Sequence, residues 1–324
     1  MRKFMDLWGE GYVLIPRLFY FDTRFYSKEY VRVSGLDMFM GLEMGRELVR
    51  YKLVFYGLIA QEEGSHILHL IVPGEKIMFV ENYVEYCRWH NGPLERKDNP
   101  LEREYCVREA VSELGYCSKH RNSIRAIYSK CFSTAGLESL RNCWILDEKY
   151  KDKINYTVYL LAYNKDKFKV GTTRTWRLLD RIAEQPHIVA TTLYTSNSAV
   201  ETRNIEIKAG KLERLTEKPH RKLKETIKTP IPPVLLKLEK TLTKTQRILG
   251  IKQTKQPTIF RIEPNTEITE YHKAKETNLK QIIGKQLIIQ DYYAGHLLLE
   301  ETNTNTKYLL KTNQILHKPS IKTT

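Results

Sequence analysis

Between Thr157 and Gln185 the chain reads TVYLLAYNKDKFKVGTTRTWRLLDRIAEQ, and no other stretch restricts the fold as strongly. TVYLLAY and FKVGT are short and rich in β-branched and aromatic residues, with only the polar NKDK between them. Two such strands joined by about four residues make an antiparallel hairpin. TWRLLDRIAEQ then reads as a helix, with Thr173 or Thr175 as its N-cap and Pro186 as its stop. HIVATTLYT predicts a third strand. SNSAVETRNIEIKAGKLERL predicts a second helix, capped by Ser196 or Ser198. The order strand, strand, helix, strand, helix defines a small unit over 155–215.

The flanks differ in character. Residues 1–85 carry GYVLIPRLFYF, YVRVSG, LVRYKLVFYGLIA, HILHLIVPG and KIMFVENYVEY, a β-rich segment expected to close as a small barrel or sandwich. Residues 86–146 turn polar and hold all five cysteines. There LEREYCVREAVSELGYC predicts a helix ending at Gly115, and RNSIRAIYSKCF a second short one. Residues 216–260 form a basic linker and helix, in which TPIPP is a rigid break and Leu235, Leu238 and Leu242 make one buried stripe. Residues 261–324 return to strands, with turns at Ala294-Gly295 and Thr302–Thr306 that suggest a β-meander. The fold class is therefore α+β.

Length and charge narrow the function. The 324 residues carry 53 Lys and Arg against 38 Asp and Glu, a formal charge of +15. Hydrophobic residues make up 41% and charged residues 28%, which suits a folded, soluble chain. Such an excess of positive charge draws polyanions, so nucleic acid (DNA or RNA) is the first partner to consider. Residues 203–255 alone hold 15 Lys and Arg against 5 Glu. They suit phosphate contacts without base stacking, or else a solvated amphipathic face. A basic scaffold for an acidic protein partner is the weaker alternative. No apolar run approaches the roughly 20 residues of a membrane span. Arg17 and Asp22 interrupt the N-terminal apolar stretch, so no signal peptide is read and a cytoplasmic location is expected. Abundant Lys, Ile, Glu and Tyr with few Met and Cys match a thermophile's composition.

Two Cys-x2-His pairs stand in the Cys-rich segment, Cys87 with His90 and Cys117 with His120. A two-residue gap lets a tight turn aim sulfur and imidazole at one ion, and two such pairs complete a tetrahedron for structural Zn2+. Cys106 and Cys131 compete as ligands, while Cys143 beside Trp144 reads as a core residue. In a reducing compartment the cluster suggests metal before disulfide. Ordinary buried cysteines and surface histidines are the bland alternative.

The unit at 155–215 resembles the GIY-YIG nuclease core. Thr157-Val158-Tyr159 stands at the first triplet and Lys169-Val170-Gly171 at the second. The chain also resembles an uncharacterised prokaryotic family of unknown function. That family joins a zinc-ribbon-like Cys-rich segment to a core reading VYLA, KVGVTR, then an Arg ahead of a DQ or EQ pair. Here the counterparts are VYLLA, KVGTTR, and Arg181 ahead of Glu184-Gln185. The resemblance implies a metal-dependent endonuclease: Tyr159 as general base, Arg181 on phosphate, and Glu201 holding one catalytic Mg2+ or Mn2+. Lys169, Gly171, Arg174 and Arg177 would bind substrate phosphate. Lys169 replaces the Tyr of the second triplet and is a poor base unless desolvated. A catalytically inactive nucleic-acid-binding protein of the same fold is the alternative. Each residue also has a structural reading: a strand tyrosine, a solvated arginine face, a glutamate supporting its helix N-terminus.

Overall fold

The computed structural model describes residues 12–32, 45–81, 83–212, 215–217, 222–252 and 258–323. Two long strands, β1 (Val13–Arg32) and β2 (Gly45–Glu62), pair antiparallel from Leu14↔Glu62 to Arg32↔Gly45, with three register shifts. β3 (Leu68–Ile71) adds to β2, and β4 (Lys76–Phe79) follows. These strands do not close as a barrel or sandwich of their own. β4 pairs with β11 (Gln286–Tyr293) and β14 (Ile321–Thr323), β14 also pairs with β1, and β2 runs parallel to β9 (Ile259–Glu263). Strands far apart in sequence thus complete each other's edges, which removes the open edges a separate small sheet would leave.

The hairpin forms as its sequence predicts. β5 (Tyr156–Ala162) and β6 (Phe168–Arg174) pair antiparallel, with Tyr159 opposite Gly171. β7 (Val189–Ser196) lies on the other side of β5 and also meets β9. The meander is present as β11, β12 (His296–Glu301) and β13 (Lys307–Lys311). Ala294 and Gly295, both at positive φ, form the two-residue turn between β11 and β12. β8 (Leu215–Thr216) and β10 (Lys275–Thr277) end the sheet, whose order is β10-β13-β12-β11-β4-β14-β1-β2-β9-β7-β5-β6-β8. The architecture is mixed α/β, a large mixed sheet with seven α-helices among the described residues.

The helices follow local signals. α1 (Ile124–Ser133) is capped by the Ser123 side chain, which accepts from Ala126 N–H, and α2 (Gly136–Tyr150) packs on α1. The helix expected from Thr173 or Thr175 begins instead as a 3-10 turn over Thr175–Arg177, then α3 (Leu178–Ala183). Thr175 is no cap; its hydroxyl pairs with that of Thr157 at 2.8 Å. α4 (Ala199–Gly210) is capped by Ser198, not Ser196. After α5 (Leu223–Ile227), TPIPP starts a helix rather than breaking the chain: Pro230 is the N-cap of α6 (Ile231–Leu249) and two further prolines fill its first turn. Leu235, Leu238 and Leu242 are buried, and Gly250, at φ 67°, ends the helix. α7 (Ile268–Lys273) precedes β10.

Side chains alternate across β5 and β6, so the unit has two faces. Tyr159, Leu161 and Tyr163 share a core with Ile182 and Ala183 of α3 and with the meander. Val158, Leu160, Phe168 and Val170 share another with Ala209 of α4 and the α6 stripe. His187, 1% exposed, ties β7 to β9. Its Nδ1–H donates to Gln185 O (2.8 Å), and its Nε2 accepts from Ile262 N–H (3.1 Å). That bonding requires the neutral ring, and burial holds the imidazole down at about 4. The folded value lies below the ordinary 6.5, so this stabilisation is complete above pH 6.5 and is lost as pH falls through 4. It amounts to about 3 kcal/mol. Denaturation from pH 7.5 to 4 should show His187→Gln losing stability less steeply than the parent. Parallel profiles would contradict the assignment.

Candidate functional site

The first candidate is the cysteine cluster. Cys87, Cys106, Cys117 and His120 are all buried, and their ligand atoms lie within 4.8 Å of one another. Cys117 Sγ is 3.4 Å from His120 Nδ1 and 3.9 Å from Cys106 Sγ, while Cys87 Sγ is 3.7 Å from His120 Nδ1. Three thiolates and an imidazole suit a thiophilic transition metal in tetrahedral geometry, not a hard cation. The group can hold one metal ion.

The ligand set corrects the sequence expectation at one position, with Cys106 standing where His90 was expected. Residues 86–90 and 105–109 run as an extended antiparallel pair, with bridges Tyr86↔Glu109 and His90↔Tyr105. In that register Trp89 lies opposite Cys106, so Cys87 and Cys106 share one face. His90, three residues from Cys87, points to the other. Its Nδ1 accepts from Gly92 N–H (3.2 Å), and burial with Arg125, Arg103, Arg174 and Arg177 around it keeps the ring neutral. Cys117 and His120 are in a turn closed by His120 N–H to Cys117 O (3.0 Å), and there the two-residue gap does aim both at one point. The predicted helix through Cys106 and Gly115 is absent for the same reason. It would separate Cys106 from Cys117 by roughly 16 Å along its axis.

Burial pushes the Cys87 thiol up to about 12, while the Cys117 N–H keeps a 3.3 Å hydrogen bond to its sulfur. At Cys117 burial also opposes ionisation, but the backbone N–H groups of His120 and Lys119 and the neighbouring thiols bring it below its ordinary value. A bound cation favours the thiolate form of its sulfur ligands. Trp89 stacks on the His120 ring, 4.1 Å between centroids, and fixes its plane. Cys131 is not a competing ligand, and Cys143 is not a free core residue. The two form a disulfide joining α1 and α2, so the metal-before-disulfide expectation fails for these two, while Cys87, Cys106 and Cys117 are free thiols grouped so that they could share a metal ion.

The second candidate is the hairpin network. Tyr159 is 1% exposed, and a Cβ at Gly171 would stand 2.5 Å from its hydroxyl oxygen. Gly171 is therefore bare so that the Tyr159 ring can lie across it. Gln185, which sequence reasoning noted only as part of EQ, is the hub. Its Nε2 donates to the Tyr159 hydroxyl (2.9 Å) and to Arg181 O (2.7 Å), and its Oε1 accepts from Lys169 Nζ (2.5 Å). Burial lowers the Lys169 ammonium, opposed by Tyr159 and by Glu206. Arg181 and Arg177 both pair with Glu184, whose carboxyl burial would raise but the two guanidiniums hold low. Arg181, 42% exposed, opens with Gln185, His296 and Lys311 into a cleft of about 250 Å3 between α3 and the β11–β12 turn.

Glu201 does not join this group. It sits in the first turn of α4 and accepts from Tyr194 Oη (2.6 Å) and Ser196 Oγ, hydrogen bonds that lower its pKa. Tyr194 lies opposite Val158, so α4 covers the face of β5 that Tyr159 does not. Arg174 is removed too: it is 5% exposed, between the rings of Tyr128 and Trp176. Glu206, a buried α4 carboxylate paired with Arg203 at 2.7 Å, gave no distinct sequence signal.

Compared with known proteins, the chain matches no family model, no curated protein and no solved structure. No helix among the described residues is long and apolar enough to cross a membrane.

Three tests follow from the geometry. The purified chain should carry one metal ion, retained in His90→Ala and lost in Cys106→Ser. After chelation under denaturing, non-reducing conditions, three thiols should react; five would rule out the disulfide. Gly171→Ala should cost about 1–3 kcal/mol in chemical denaturation by forcing Tyr159 from its seat, and a neutral result would show that the ring is not held there.

Proposed function

We propose that this chain is a nucleic-acid-binding protein with a GIY-YIG-like core and a structural Zn2+ module, and that it grips single strands. The observation that carries the reading is on β1. Phe25, Tyr26 and Tyr30 are 60%, 62% and 77% exposed there, interleaved with exposed Arg24 and Lys28. Aromatic rings take unpaired bases by stacking, and the cations follow the backbone. The formal charge of +15 supports attraction to a polyanion. The Arg181–Lys311 cleft is a second place for phosphate. Zinc is the ion that best suits three sulfurs and one nitrogen. Bond lengths of about 2.3 Å to sulfur require sulfurs roughly 3.8 Å apart, and Cys106 and Cys117 are at 3.9 Å. With all four ligands from protein, such a site is closed and structural.

Cleavage is not part of this reading. Glu201 is hydrogen-bonded on the far side of the sheet from Tyr159 and Arg181, so one Mg2+ or Mn2+ on Glu201 would not meet a phosphate held at Arg181.

Fluorescence anisotropy with labelled single- and double-stranded DNA and RNA tests the proposal. Single strands should bind more tightly. Phe25→Ala, Tyr26→Ala and Tyr30→Ala together should cost at least about 1–3 kcal/mol with the salt slope unchanged. Arg181→Ala should weaken binding and make the slope shallower, and Glu201→Ala should change little. No affinity for any strand, or a triple variant binding like the parent, would overturn the reading. Metal-dependent cleavage abolished by Glu201→Ala would replace it with the nuclease.

A further inference from the structure

A cavity of about 150 Å3 lies where β1, the Cys/His module, α1 and the start of α3 meet, away from the Arg181 cleft and on the opposite side of the module's extended pair from the metal ligands. It is crowded with cations, and most of those have carboxylate partners. Arg103 forms a two-pronged pair with Asp98 (2.8 and 2.6 Å), Arg177 pairs with Glu184, and Lys97 with Asp22 (2.8 Å). Arg125 and Arg174 have none among the described residues. Arg125 donates to three carbonyls within residues 90–93, His90 O (2.7 Å), Gly92 O and Pro93 O (3.3 Å). Arg174 donates to Leu94 O (3.0 Å), and its Nε, in a side chain 95% buried, is unpartnered.

Two desolvated guanidiniums facing the same space repel each other. Burial, then Arg174 and Arg103, bring Arg125 down to about 9. The carbonyls and aromatic rings orient these groups without neutralising them. Forked guanidinium donors match the oxygens of a phosphate, and a dianion would offset both charges at once. The cavity has room for roughly five waters, enough for one phosphate group and too little for a whole nucleotide.

We propose that this cavity binds a single phosphate monoester group, between the guanidiniums of Arg125 and Arg174, with the remainder of the ligand outside. Asp180 lines the same cavity near Lys97 and Arg177 and is the built-in control, because its carboxylate carries the same sign of charge as the bound anion.

The test uses the full, metal-loaded chain in isothermal titration calorimetry. The ligands are inorganic phosphate, adenosine 5′-monophosphate, and one oligonucleotide with either a 5′-phosphate or a 5′-hydroxyl end. Inorganic phosphate should bind with one-to-one stoichiometry while chloride does not. Arg174→Gln should lose at least tenfold in affinity. Because that variant alters a buried side chain, Asp180→Asn supplies a result unfolding cannot mimic: phosphate should bind severalfold more tightly. A 5′-phosphate that improves oligonucleotide binding assigns the pocket to strand ends. Equal binding of both oligonucleotides, with inorganic phosphate bound, assigns it to free phosphate or small monoesters. No binding of any phosphate, or Asp180→Asn binding as the parent or more weakly, overturns the proposal. Loss of strand binding in Arg181→Ala with phosphate binding intact would separate this pocket from the cleft.

Discussion

The Arg17 guanidinium ties the Cys/His segment to the sheet. It projects from β1, is 2% exposed, and donates to Gln61 Oε1 on β2 (2.8 Å) and to the carbonyls of Cys87 (3.1 Å) and Cys106 (2.8 Å). Two of its acceptors thus belong to residues whose sulfurs stand in the group that could hold a metal ion. Tyr86 and Tyr105 flank it at 5.6 and 5.9 Å. Burial pulls its pKa down to about 10, and the nearby thiols and tyrosines act against that pull. A cation in this position is stable only while every donor is met, so the extended pair carrying Cys87 and Cys106 is fixed against the sheet. Groups that orient metal ligands from behind commonly set the strength of a site, and for a metal held by this cluster that support would come from the sheet.

The same dependence runs through the hairpin. Tyr159, Lys169 and Gly171 sit where a nuclease-like core would place functional groups, yet each has a packing partner that explains it. The ring fills the space over the glycine, Gln185 satisfies both the hydroxyl and the ammonium, and Glu184 satisfies two arginines. A polar network this complete is rigid, because breaking one bond strands its partner. What remains outward-facing is Arg181 with Lys311, and that is why the proposed role is to hold phosphate rather than to move protons.

Positive charge is distributed unevenly. Most cations near the sheet are paired, as Arg50 is with Glu29 and Glu263 at 2.6 Å and Arg203 is with Glu206 and Glu217. Pairing on this scale lets a chain of +15 fold without excessive self-repulsion. It also makes the exceptions informative. Arg125 and Arg174 are held by carbonyls and rings rather than by carboxylates, and Arg24, exposed among the aromatics of β1, donates to the Tyr56 hydroxyl (2.7 Å).

Short-range chemistry was legible in the amino-acid sequence. The hairpin over Thr157–Thr172, the Ser198 cap, the Leu235–Leu238–Leu242 stripe and the Cys117–His120 turn each depend on residues within a few positions of one another. Periodicity, capping and turn chemistry determine such features wherever the segment lies. Long-range register decided the rest. Cys106 replaces His90 because an extended pair alternates its side chains. Cys131 meets Cys143 because α1 folds onto α2. Glu201 faces away from Tyr159 because α4 crosses to the other side of β5. Arg17, which in the sequence only interrupts an apolar run, becomes the central tether because residues 70 and 89 positions away bring their carbonyls to it. A linear pattern specifies which atoms can bond, but only the tertiary structure decides which of them come within reach.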